Sequence, residues 1–146
     1  MRALAAGVAS VLLFCIEPTH AGTAKEEARQ AARRFGAALT SSKASDLRPL
    51  LPTRGNVTLA LNRLAQEEGS FGPSQVETVF RDSLAQVVVR SFEVLRLESD
   101  EQTFALVHAR ASLTDRQGRP CRLSVHLSLQ PEDDTWVIRE IKETLE

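Results

Sequence analysis

Beyond residue 21 the side chains equipped for chemistry are few: two imidazoles, His108 and His126, a lone carboxylate at helical spacing, Asp82, and a thiol, Cys121. If the histidines lie opposite each other on neighbouring strands, their Cβ atoms are about 5 Å apart, within reach of one metal ion. A zinc site needs a third protein ligand, and no H-x-x-x-H, C-x-x-C or E-x-x-H spacing supplies one. The pair therefore reads as two solvated side chains. Asp82 lies one turn beyond Val79 and would serve as a general base only if that helix lines a pocket; otherwise it is a surface carboxylate. The chain has no nucleophile elbow, no phosphate-cradling glycine loop and no carboxylate pair at a spacing that shares a pocket. Arg29, Arg33, Arg34, Arg139, Glu140 and Glu143 read as solvated faces, where ion pairs contribute little. No metal or cofactor is expected.

What must position the histidines is a hairpin. From Ser91 onward the apolar period falls to two, giving strand candidates Ser91–Leu97, Thr103–Thr114, Cys121–Gln130 and Thr135–Lys142. Their separators, Ser99–Gln102, Asp115–Gly118 and Pro131–Asp134, are short turn compositions, so the strands form an antiparallel meander. Arg116-Gln117-Gly118 fits a three-residue loop ending in a left-handed position, where glycine costs least. That loop pairs Asp115 with Arg119. Counting back, one face carries Leu113/Cys121, Ala111/Leu123, Ala109/Val125, Val107/Leu127 and Ala105/Leu129. The other carries Ser112/Arg122, Arg110/Ser124, His108/His126 and Leu106/Ser128. A one-residue slip would mix the two sets, so burial fixes the register. The polar set, with His108, Arg110, Arg122 and His126, is the expected interaction face. Cys121 falls on the apolar side, as a small half-buried residue or an intermolecular bridge.

The helices come first. Ala28, Ala31, Ala32, Phe35 and Leu39 make one apolar stripe behind a capping box at Thr23-Ala24-Lys25-Glu26. Ser45–Leu51 reads as a short second helix stopped by Pro52, and Asn56–Asn62 alternates as a strand. A loop around Phe71 follows. A second capping box, Ser74-Gln75-Val76-Glu77, is expected to open a third helix with the stripe Val76, Val79, Phe80, Leu84 and Val87. Helices followed by a meander make an α+β domain, with helices on the concave face of a curved antiparallel sheet. The alanines of Thr103–Thr114 leave room in the concavity. Phe35, Phe80 and Trp136, with Asp82, are the expected lining of any pocket there.

Residues 1–21 read as a secretory leader: Met1-Arg2, an uncharged run Ala3–Ile16, then a polar stretch ending in Thr19 and Ala21 at the −3 and −1 positions. The uncharged run makes about 21 Å of helix, short of the bilayer core of about 30 Å. Phe14 ahead of Cys15 departs from a lipobox. Cleavage after Ala21 leaves a single domain, residues 22–146, exported to the periplasm or medium; it meets a membrane only if the leader stays on. Cys121 then has no internal disulfide partner. With 18 Lys+Arg against 19 Asp+Glu, the net charge of −1 gives no basic surface for nucleic acid. At 146 residues and 42% apolar, the chain can build a core by packing alone.

The stretches Gly69–Glu77, Phe80-Arg81-Asp82, Ser91-Phe92, Gly118–Leu123 and Trp136–Glu140, following two helices and closing a meander, resemble the nuclear transport factor 2-like (cystatin-like cone) superfamily. Within it they are similar to an exported bacterial family of unknown function. The resemblance implies a cone-shaped α+β fold, and either a pocket enzyme of the isomerase or cyclase kind or a non-catalytic binding module. It also implies a homodimer formed through the sheet. The chain has no tyrosine to donate an oxyanion hydrogen bond. The expectation is therefore a non-enzymatic domain that binds a small apolar ligand in the cone or a protein on the sheet face. The alternative is a cone-pocket isomerase or cyclase using a buried acid or histidine.

Overall fold

The structure, a computed structural model, describes residues 23–146; the leader and the expected cut after Ala21 lie outside the described residues. Helix α1, Thr23–Thr40, is followed by a 3-10 helix, Ala44–Leu50, and by two short strands, β1 (Val57–Ala60) and β2 (Glu68–Phe71). Helix α2 spans Pro73–Leu84, and strands β3 (Val88–Ser99), β4 (Ala105–Thr114), β5 (Pro120–Glu132) and β6 (Thr135–Leu145) complete the chain. The six strands form one curved sheet in the order β2-β1-β6-β5-β4-β3. β1 runs parallel to β6 and every other neighbouring pair is antiparallel, so the fold is α+β with a mixed, open sheet.

The β4–β5 register is the one burial demands, from Leu113↔Cys121 through His108↔His126 to Ala105↔Leu129. Its loop closes as expected: Asp115 N–H donates to Arg119 O at 2.8 Å, and Gly118 has a left-handed φ of 77°. The apolar face of both strands is buried, apart from half-buried Cys121 at the end.

Several features differ from the sequence reading, first of all the sheet, which is mixed rather than wholly antiparallel because β1 runs parallel to β6. The segment around Phe71 is strand β2, a four-residue edge with no buried side chain, held by backbone pairing to β1. Strand β3 begins at Val88 rather than Ser91. Register shifts between Val89 and Ser91 and between Val94 and Arg96 bend it and break its alternation. The turn between β5 and β6 shrinks to Asp133-Asp134, both at positive φ (47° and 64°), as a two-residue hairpin turn requires.

The α1 stripe of Ala28, Ala31, Ala32, Phe35 and Leu39 is fully packed against the sheet. Its small residues permit close approach: a Cβ on Gly36 would lie 2.2 Å from a Phe92 ring carbon. Helix α2 is capped at Gly72, two residues before the expected Ser74. Pro73 takes the first helical position, where its missing N–H costs nothing, and Gln75 Oε1 accepts the Gly72 N–H at 2.9 Å. Glu77 is thereby released from capping.

Candidate functional site

The helices cover one face of the sheet and leave the other open. Across that open face the pairings align side chains in rows. One row reads Arg96–His108–His126–Lys142, and the next reads Glu98–Leu106–Ser128–Glu140. Together they line a shallow depression of about 280 Å³. The imidazoles stack, with ring centroids 4.7 Å apart and planes within 6° of parallel. A shared metal ion would have to lie in both ring planes, and two stacked parallel rings have no common plane. Among the described residues no group of three or more His, Cys, Asp or Glu is placed to hold a metal. His108 Nε2 is 3.3 Å from Ser124 Oγ. Desolvation under the stacked ring lowers the pKa of His126, helped by the charges of His108, Lys142 and Arg96.

In the row beyond, Arg110 Nε is 3.2 Å from both Glu146 carboxylate oxygens, and Ser124 Oγ donates to Glu146 Oε1 at 3.1 Å. Arg122 is exposed at the end of the face. The four residues expected on an interaction face thus share one surface.

The expected pocket lining does not form a pocket. Phe35 and Phe80 have no accessible surface at all, so no water-sized void touches either ring. They meet edge to face at 5.9 Å, and Phe92 meets Phe35 the same way at 5.7 Å. Each such contact adds about 0.5–1.5 kcal/mol beyond the area it buries. Trp136, 7% exposed, belongs to the same core. These rings and the alanines of β4 belong to one continuous buried core, so the concavity is filled. Asp82 instead lines a separate cleft of about 540 Å³ on the exposed side of α2. Cys121 packs against the core, and burial raises its thiol pKa, leaving a weak nucleophile at neutral pH.

Two carboxylates have roles that spacing alone did not reveal. Glu77, buried, receives Arg48 Nε at 2.7 Å and Arg81 Nη2 at 2.9 Å, tying the 3-10 helix to α2. The hydrogen bond from Arg48 and the charge of both guanidinium groups hold its pKa below the usual glutamate value, against the opposing effect of desolvation. The Glu77–Arg81 spacing of four was visible; Arg48 lies 29 residues upstream and gave no signal. Glu143 is not a solvated residue: its Oε1 accepts the backbone N–H groups of Asn62, Arg63 and Leu64, which anchors the chain after β1 to β6.

No protein-family model matches the chain, and no curated protein matches it. Solved structures match it in shape. A nuclear transport factor 2-like protein from Anabaena variabilis is 15% identical, with a TM-score of 0.62 over 90% of this chain and 95% of that one. A DUF4783 family protein from Bacteroides uniformis is 11% identical, with a TM-score of 0.62 over 78% of this chain and 95% of its own. An LEH-like epoxide hydrolase from M. tuberculosis is 16% identical, with a TM-score of 0.59 over 83% and 84%. At these identities the likeness defines the fold: the chain has the nuclear transport factor 2-like fold, with uncharacterised bacterial proteins among its structural relatives. One of these relatives is an epoxide hydrolase, so the fold alone does not set an activity.

Proposed function

We propose that the protein is an exported binding domain without a reaction of its own, which engages a protein partner through the open face of its sheet. The observation that carries this reading is the composition of that face. It presents Leu106, 45% exposed, in the row next to the stacked histidines of the Arg96–Lys142 row, and Val88, 49% exposed, opposite Thr114 at the other end of the face. Apolar side chains amid charged ones, on a broad face that no helix of the described residues covers, suit protein recognition better than small-molecule capture. A small apolar ligand inside the cone is disfavoured because Phe35 and Phe80 already occupy that volume. The isomerase or cyclase reading needs an acid or imidazole inside the cone. Asp82 lies on the exposed side of α2, and both imidazoles lie on the outer sheet face. Buried Glu77 is already engaged by Arg48 and Arg81, and half-buried Glu143 by the backbone N–H groups of Asn62, Arg63 and Leu64. Export rests on the leader-like residues 1–21; no described helix is long and apolar enough to cross a membrane.

Photo-crosslinking tests the reading. A photoreactive residue replaces Leu106 or His126 in the full chain expressed with its leader, and Arg34 on α1 serves as the control position. A discrete adduct from the two sheet positions and none from Arg34 is expected, on a chain beginning at Gly22. An adduct of twice the chain mass would identify the partner as a second copy. Equal adducts from all three positions, or none from the sheet, would overturn the assignment.

A further inference from the structure

The cleft beside α2 is made by three elements: the chain entering and leaving β2, the exposed side of α2 and the β4–β5 loop. Three of its lining residues are charged, Glu67, Asp82 and Arg116. None has an ion-pair partner within 4 Å among the described residues, although eight ion pairs form elsewhere on the molecule. Among the described residues Arg116 is held by one contact: its Nε donates to Gln86 Oε1 at 2.9 Å, and neither terminal nitrogen is bonded by them. Asp82, on the last turn of α2, and Gln86, which tethers Arg116 just beyond the helix, both line the cleft, so the carboxylate and the guanidinium face one space. Val79 and Phe71, both half-buried, supply an apolar wall.

We infer that this cleft binds a free α-amino acid with a bulky apolar side chain. The ammonium and carboxylate of such a molecule match the two acids and the guanidinium that line the cleft, with Asp82 and Glu67 taking the ammonium and Arg116 the carboxylate. The side chain then lies against Phe71 and Val79. The volume of about 540 Å³ falls within the range of small-molecule sites. The cleft shares no lining residue with the depression on the sheet face, so this site stands or falls independently of the partner surface.

The test is titration of the purified domain with L-phenylalanine, followed by backbone amide NMR shifts. Saturable shifts centred on Thr78, Asp82 and Arg116 are expected. N-acetyl-L-phenylalanine lacks the ammonium and L-phenylalaninamide lacks the carboxylate, and each should bind about tenfold more weakly or worse. Asp82→Asn and Arg116→Gln should weaken L-phenylalanine by a similar factor while leaving the amide spectrum of the core unchanged. Absence of saturation, equal binding of the blocked analogues, or full affinity in both variants would overturn the inference.

Discussion

Glu77 makes a single side chain answerable to pH. Its carboxylate is buried between two arginines whose charge and hydrogen bonds hold its folded pKa below the ordinary value of 4.5. A depressed carboxylate pKa contributes stability that is present above the unfolded value and is lost as pH falls through the folded one. Urea midpoints of the wild type and Glu77→Gln should therefore differ at pH 7 and converge below about pH 4.5. A gap that stays constant from pH 7 to pH 3 would assign the effect to packing instead. Gly36 makes a steric counterpart. The Cβ of Gly36→Ala would lie 2.2 Å from the Phe92 ring, so the ring or the helix must move. Overpacking of this kind costs about 1–3 kcal/mol, and a second change, Phe92→Leu, should recover part of it in urea melts. No recovery would mean that the helix backbone, not the ring, takes the strain.

Elements differ in how much of themselves they wrote into the sequence. The β4–β5 hairpin was legible to the residue because its alternation is unbroken and Gly118 marks its loop. Edge strand β2 was not, since none of its four side chains is buried and its pairing is all backbone. Strand β3 was half hidden, because its two bulges shift the apolar phase. The parallel β1–β6 contact joins residues some eighty positions apart, and its anchor, Glu143, accepts from backbone groups that have no sequence signature. The site was legible in the same proportion: one face of a hairpin could be read, and a cleft built from three distant segments could not. Turn chemistry at this scale is testable. Gly118 has open space around its Cα, so Gly118→Ala should cost only the left-handed penalty, about 1 kcal/mol. Asp134, at φ 64° in the second position of its turn, should gain up to about 1 kcal/mol on change to glycine. Matched urea curves read both, and a loss at Asp134→Gly would mean that its side chain holds the turn.

Across the whole molecule, the sheet divides stability from recognition at the level of alternate residues. Leu127 faces the helices with 1% of its surface accessible, while His126, next to it in the chain, faces solvent. Leu127→Ala removes packed core volume and should cost about 2–5 kcal/mol. His126→Gln at pH 7.5 should stay within about 0.5 kcal/mol of wild type, as exposed substitutions do. Acid should separate the two faces further. The pKa of His126 is lowered below 6.5, by desolvation first and then by His108, Lys142 and Arg96 facing it from β4, β6 and β3. A depressed histidine pKa means the folded state holds the ring neutral. Its contribution is complete above about pH 6.5 and is lost as pH falls, because the unfolded chain takes up the proton first. The wild type should thus lose stability between pH 7 and pH 5, and His126→Gln should flatten that slope, whereas Leu127→Ala should leave it unchanged. Crosslinking through the sheet face should respond in the opposite order, with His126→Gln weakening the adduct formed from position 106 and Leu127→Ala sparing it in whatever fraction remains folded. If both variants lowered stability and adduct yield in parallel, the outer face would be an extension of the core rather than a surface kept for a partner.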